Sequence, residues 1–296
     1  MSSKSGGSAL PLLATLSAMA CFQIGAACAK SLFPVIGPQG AAALRLSLGA
    51  VMLLVIVRPW RSWPRRAPIL ALLGLGAATA GAVLMFYLAQ SRLPLGVAIA
   101  LQFLGPLTVA IVGTRRPIDL VWAALAAAGV WWLVGSGAHA SAIDLVGVAF
   151  ALCAAVAWAT YILCGRIASA AFGGSTGALA SSIAAVLVAP FGVAQAGTAL
   201  LSPALLPMAL LVALLSTVIP FSLELYALPR LPARTFATFT SLEPAFGVMS
   251  GWVLLGQHLA ITQIAGVAVV ITAAAGAARS SASRPAAADI ADAPPT

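Results

Sequence analysis

Residues 230–257 read RLPARTFATFTSLEPAFGVMSGWVLLGQ, and the fold turns on what that stretch is. Between the arginines at its front and the Gly256-Gln257-His258 break at its end lies a run close to the ~20 mostly apolar residues that a bilayer core requires. The run predicts one membrane-spanning helix. Glu243 falls near its middle. An acid at a helix centre costs about 2.5 to 3.5 kcal/mol on insertion scales, so it persists where it faces a protein interior or a water-filled cavity. Pro244 follows directly. A proline inside a helix removes a backbone hydrogen bond, leaves a carbonyl free and bends the helix. The Glu-Pro pair at mid-depth therefore marks a candidate site.

Working outward, the composition supports the same reading. With 62% hydrophobic residues, 7% charged residues and a mean hydropathy of +1.08, the chain is excluded from the soluble globules, in which about 25% of residues are charged. A net charge of +9 raises the question of nucleic acid. The basic residues, however, punctuate the apolar runs and form no continuous face, which excludes that partner and fits loop residues that orient a membrane protein. Cys21, Cys28, Cys153 and Cys164 lie within the apolar runs without metal-ligand spacing, so they read as packing residues, and no metal or cofactor is expected. The first run, from about Ala9 to Ala29, is too long for a signal-peptide core and reads as a span that is kept.

Apolar runs broken by Gly, Pro and Arg predict ten spans: 9–29, 39–57, 67–89, 96–113, 118–135, 144–164, 174–196, 204–228, 235–255 and 261–278. With a cytoplasmic N-terminus, the inner side holds Lys4, Arg58, Arg61, Arg65, Arg66, Arg115, Arg116, Arg166, Arg230, Arg234, Arg279 and Arg284, and the outer side only Lys30 and Arg92. That asymmetry predicts an inner-membrane protein with both termini in the cytoplasm. The tail 279–296, rich in Ala, Ser and Pro, is expected to be disordered.

The chain also repeats itself. Arg92-Leu93-Pro94 returns as Arg230-Leu231-Pro232, and Leu104-Gly105-Pro106 returns as Leu242-Glu243-Pro244 at the same offset of 138. Leu16, Cys28 and Lys30 match Leu152, Cys164 and Arg166 at an offset of 136. The expected fold is thus an all-α integral membrane protein, its ten transmembrane helices forming two five-helix repeats, 9–135 and 144–278. An odd number of spans per half makes the repeats inverted, and sites in such folds form at mid-depth from broken helices. Pro106 and Pro244 occupy matched positions.

Several residues could carry chemistry. Arg45 is a second charge inside a span, either snorkelling to the headgroups or facing a cavity where its guanidinium could hold a carboxylate. Glu224, near the end of span 8, either pairs with Arg230 or Arg234 or serves the site. Lys30 either anchors the end of span 1 or gates. Tyr87, Gln102, Trp158, Tyr161 and Gln23 are polar or amphipathic groups at cavity depth, and for each the plain alternative is an interhelical bond or packing. Asp119 and Asp144 look like helix starts, with Ser141 and Asp144 forming a capping box. Gly247 and Gly251 supply a small face for helix contact.

At GAACAKSLFPVIGPQGAAALRLSLG, at FYLAQSRLPLGVAIALQFLGPLTVAIVGTRRPIDLVW and at SLELYALPRLPARTFATFTSLEPAFGVMSGWVLLG, the chain resembles the EamA-type branch of the drug/metabolite transporter superfamily, most of all the bacterial threonine/homoserine exporters. The resemblance covers Ala9 to Gly276. It implies a ten-span inner-membrane exporter of small amino acids driven by the proton gradient, and it carries over at Lys30, Arg45, Glu224, Glu243 and Pro244. It departs at Gln102 and Gln257, where close members have Glu, and a glutamine cannot carry a proton. The expectation is alternating access, with Arg45 holding the substrate carboxylate and Glu243 the ammonium group or the coupled proton. Tyr87, Gln102, Trp158 and Tyr161 would line the site, and Pro244, Pro106, Glu224 and Lys30 would couple or gate. The rivals are export of another metabolite or a drug cation and, from another class, a membrane-embedded enzyme. That enzyme is disfavoured because no paired carboxylates appear and His139 and His258 both lie in short loops. A channel lacks any visible filter.

Overall fold

The computed structural model describes residues 9–61, 64, 67–112, 117–135, 144–227, 230–231 and 239–281. The described residues contain helices and no strand. In order they are α1 (Ala9–Lys30), α2 (Phe33–Val57), α3 (Ile69–Gln90), α4 (Leu95–Gln102), α5 (Leu104–Val112), α6 (Pro117–Gly135), α7 (Leu145–Phe172), α8 (Thr176–Ala196), α9 (Leu206–Ala213), α10 (Ile219–Ala227), α11 (Glu243–Leu255) and α12 (Ile261–Ser281). Among the described residues, five apolar stretches are long enough to cross a membrane: Leu10–Lys30, Phe33–Val57, Ile69–Gln90, Leu145–Leu201 and Pro203–Glu224. Leu95–Val109, Leu120–Trp132 and Ile261–Ala277 are shorter apolar helices. Side chains such as Leu70, Trp131, Leu201 and Ile261 stand well exposed, as lipid-facing residues do and as a water-soluble surface rarely tolerates in bulk. This is a multi-pass membrane protein.

Several expectations from the sequence need correction. Span 4 is two helices: α4 stops at Gln102, Phe103 forms a turn, and α5 begins at Leu104 two residues before Pro106. The ninth apolar run is broken in the same way, with a turn at Ser241 and Leu242 before α11 begins at Glu243. Pro244 therefore occupies the first turn of a helix, where its missing amide costs nothing, and it does not bend a continuous span. Span 6 runs on to Phe172, so that Arg166 is an exposed residue of α7 and not of a loop. The segment after Cys164 holds no proline to stop the helix, and the helix ends only at Gly173, whose φ of 52° suits a residue without a Cβ. The last helix likewise extends through Arg279 to Ser281. Lys4, Arg65, Arg66, Arg115, Arg116, His139, Ser141, Pro232, Arg234, Arg284 and the rest of the tail lie outside the described residues, as does the side chain of Asp119.

The helices pair in a regular scheme. α3 lies along α7, while the helical segment formed by α9, a turn of π-helix at Leu214–Val218 and α10 lies along α1. α2 pairs with α8, α6 with α12, and α4 crosses α11. At that last crossing Gly96 faces Val248, Gly247 faces Ile99, and Gly251 faces Leu95. The small residues read as a packing face from sequence do pack, and they bring the two broken helices together at mid-chain.

One end of the molecule is tied at the segment between α3 and α4. Arg92 donates to Asp144 at 2.7 Å, Lys30 Nζ donates to the Leu93 carbonyl at 3.4 Å, and Gln257 Oε1 accepts the Leu95 amide at 2.9 Å. Asp144 is itself the N-cap of α7, taking the amides of Val146 and Gly147. The hydrogen bond from Arg92 is the main reason that its carboxyl is held below the usual carboxylate range, and the two backbone amides add to it.

A buried polar cluster around the middle of helix α1

The site is built on two adjacent residues of α1. Phe22 presents its ring to Arg45, whose guanidinium carbon lies 5.0 Å from the ring centre, and Gln23 donates from Nε2 to Glu243 Oε1 at 3.0 Å. Arg45 and Glu243, the two anomalous charges of the sequence, are thus held by neighbouring side chains without an ion pair between them. Both are deeply buried, at 4% and 9% exposure.

Arg45 lies inside α2 past the kink at Gly37, and its guanidinium is buried and bonded, so the snorkelling reading is overturned: its head is fixed within the protein. Nη1 donates to Tyr87 Oη at 3.4 Å and Nη2 to the Ser216 carbonyl at 2.9 Å, while Nε makes no hydrogen bond within the protein. The reason that carbonyl is available is written in the chain. In an α-helix the Ser216 oxygen would accept the amide of residue 220, which is proline and has none. The helix answers with a π turn closed by the Ile219 amide on the Leu214 carbonyl, leaving the Ser216 carbonyl for the guanidinium. Tyr87 is wholly buried, tilted against Phe33 and Phe86, and so serves Arg45 as a fixed wall.

Glu243 opens α11, with Leu242 at the N-cap and no side-chain cap. The free amides at a helix start favour a negative charge, which offsets part of the cost of burying a carboxylate. Glu224 on α10 and Tyr161 on α7 keep accessible surface, yet Glu224 is within coulombic reach of both Tyr161 and Glu243. The pairing of Glu224 with Arg230 is not found, because Arg230 donates to the Tyr226 carbonyl at 2.8 Å and lies 4.1 Å above its ring.

Other candidates stand at the edges. Trp158 meets Phe103, at the α4–α5 turn, edge to face with centroids 5.6 Å apart, and the buried Gln102 precedes that turn. Pro106 lies in α5. Lys30 belongs to the tied end and not to the cluster. Phe22, Ser216 and Thr217 were missed from sequence. The signal for Ser216 was a proline four residues after it inside an apolar run.

Residues 145–279 match the EamA-like transporter family. The chain is 46% identical over 267 residues to the threonine/homoserine exporter RhtA of Escherichia coli strain K12, and 45% identical to the protein of the same name from Salmonella typhimurium strain LT2, in each case covering 90% of both chains. A solved crystal structure superposes with a TM-score of 0.59 at 19% identity, covering 93% of this chain and 97% of the other, a likeness of fold alone.

Proposed function

This chain belongs to the EamA-like transporter family, and from that membership we propose that it exports small neutral amino acids of the threonine and homoserine kind across the cell inner membrane by proton-coupled alternating access. The relatives it matches over most of their length are exporters and not enzymes. The observation that carries the mechanism is the pair of opposite buried charges gripped by Phe22 and Gln23. In this reading a zwitterionic amino acid is held between them. Its carboxylate meets Arg45, whose Nε has no partner within the protein, and its ammonium meets Glu243. A proton on Glu243 cancels the charge that holds the ammonium, so proton and substrate compete for one carboxylate, which is the minimal requirement for exchange. Tyr87 positions Arg45, and Glu224 and Tyr161 line the approach to Glu243. Gln102 and Trp158 stand beside the α4–α5 turn that carries Pro106.

The architecture that supports alternating access is two inverted five-helix repeats with both termini in the cytoplasm. Exchanging α1 with α7, α2 with α8, α3 with α9–α10, α4–α5 with the stretch ending in α11, and α6 with α12 carries the main helix pairs onto one another. The two helix breaks fall at matched positions, 103 and 241. Two acids within coulombic reach of each other, Glu224 and Glu243, also suit export of a drug cation, the second reading. Efflux from preloaded proteoliposomes, run with threonine, homoserine, aromatic amino acids and organic cations, separates them. Gradient-driven efflux of the first two is expected, and efflux of the cations alone would overturn the assignment.

A further inference from the structure

Many serine and threonine hydroxyls inside these helices are satisfied locally. Thr15, Thr79, Thr108, Thr160, Ser182, Ser222 and Thr272 each donate to the carbonyl four residues back, at 2.7 to 3.0 Å, the ordinary habit of a helical hydroxyl. Ser216 and Thr217 depart from it. Both hydroxyls are sealed from the surface, and neither makes a hydrogen bond within the protein. Both sit on the π turn, a kind of helix defect that concentrates at functional sites.

Their neighbours are the residues of the polar cluster. Ser216 gives its carbonyl to Arg45, and its hydroxyl lies over Gly25, where an added methyl group would collide with it. Gly25 is one turn along α1 from Phe22, so both lie on one face of that helix. Thr217 packs against Gly49, one turn along α2 from Arg45. The orphaned hydroxyls therefore belong to the same wall as the guanidinium, whose own Nε is also unpaired. Leaving buried polar atoms unpaired is costly, and three of them on one cation and the turn that holds it point to a ligand that supplies the missing partners.

We propose that the hydroxyls of Ser216 and Thr217 select the transported amino acid by hydrogen-bonding a hydroxyl on its side chain. This rests on the transport reading above and deepens it. With the carboxylate on Arg45, the substrate side chain points along the π turn. A hydroxyl there completes hydrogen bonds that a methyl group of equal size leaves open, and a site built to bond a hydroxyl discriminates strongly against the analogue without one.

The test compares isosteres in the reconstituted protein: threonine against valine, and homoserine against 2-aminopentanoate, each measured as initial efflux. The unmodified protein is expected to prefer each hydroxyl compound by at least about tenfold, the worth of one hydrogen bond. The variants Ser216→Ala and Thr217→Val should lower that ratio while valine efflux holds or rises, and Thr217→Ser, which keeps the hydroxyl, should preserve it. Equal export of threonine and valine by the unmodified protein overturns the proposal without any variant, as does a ratio unchanged in both variants. If neither threonine nor homoserine is exported at all, the transport reading itself fails, and the two failures are told apart.

Discussion

The two broken helices of this protein share a scaffold and differ in what stands at the break. In the first half the matched triplet is Leu104-Gly105-Pro106, and in the second Leu242-Glu243-Pro244. Gly105 presses so closely on the Ala155 carbonyl of α7 that a Cβ there would collide with backbone. Glu243, immediately before the equivalent proline, instead reaches Gln23 of α1. The lesson is that two helix breaks at matched positions in the sequence carry different residues, a buried carboxylate at one and a close-packing glycine at the other.

The contrast can be broken most sharply at its chemical end. Glu243→Gln keeps the shape and the bond to Gln23 but removes the charge, so gradient-driven efflux should fall to the level of empty vesicles while expression and detergent stability hold. Efflux at the unmodified rate would show that this carboxylate is as structural as Gly105. Glu243→Asp should fall between, since its charge is withdrawn by about one methylene. The packing end predicts the reverse pattern. Gly105→Ala should lower thermal stability by about 1 to 3 kcal/mol, the usual cost of overpacking, and reduce transport only in proportion to folded protein. An alanine tolerated there without loss of melting temperature would mean that α5 and α7 are not in close contact.

The two prolines sharpen the comparison at smaller amplitude. Pro244→Ala restores an amide where the helix start does not need one, so transport should change little. Pro220→Ala restores an amide that competes with Arg45 for the Ser216 carbonyl, and substrate KM should rise by roughly tenfold, as for loss of one charge-assisted hydrogen bond, with stability undiminished. Equal effects of the two substitutions would refute that assignment. The smallest effect is expected at the exposed pair of Arg92 and Asp144. Because the pair depresses the Asp144 carboxyl, whatever it contributes is present above the ordinary carboxylate range and lost as pH falls through the lowered value. Melting curves of Arg92→Ala and of the unmodified protein should converge in acid and in high salt.

Much of this was legible in the chain. Composition and basic asymmetry decide membrane against solution because few alternatives can hide so much apolar surface, and an acid in an apolar run announces its own burial, as Glu243 does. What proline does was read correctly and assigned to the wrong residue. The freed carbonyl is that of Ser216, opposite Pro220, because Pro244 turned out to begin a helix. Hydropathy is blind to that difference, since a helix start and a helix middle can have the same side chains. Arg45 could not be placed from sequence for a similar reason, because snorkelling and burial differ by which way one side chain points. The grip of Phe22 and Gln23 needed three-dimensional contacts across more than 200 positions, from 23 to 243.

The tie between α3 and α4 has a consequence for how the molecule can come apart at that end. Residues 92 to 95 are fastened three times, to the start of α7 by an ion pair, to the end of α1 by an ammonium on a carbonyl, and to the loop after α11 by an amide. Salt weakens the first but hardly touches an uncharged amide contact, and acid releases the Asp144 carboxylate but leaves Gln257 in place. No single change of medium undoes all three fasteners. Separation there is a conjunction of independent events, rare when each contact is merely loosened, so this end of the molecule stays closed under conditions that break any one of its contacts.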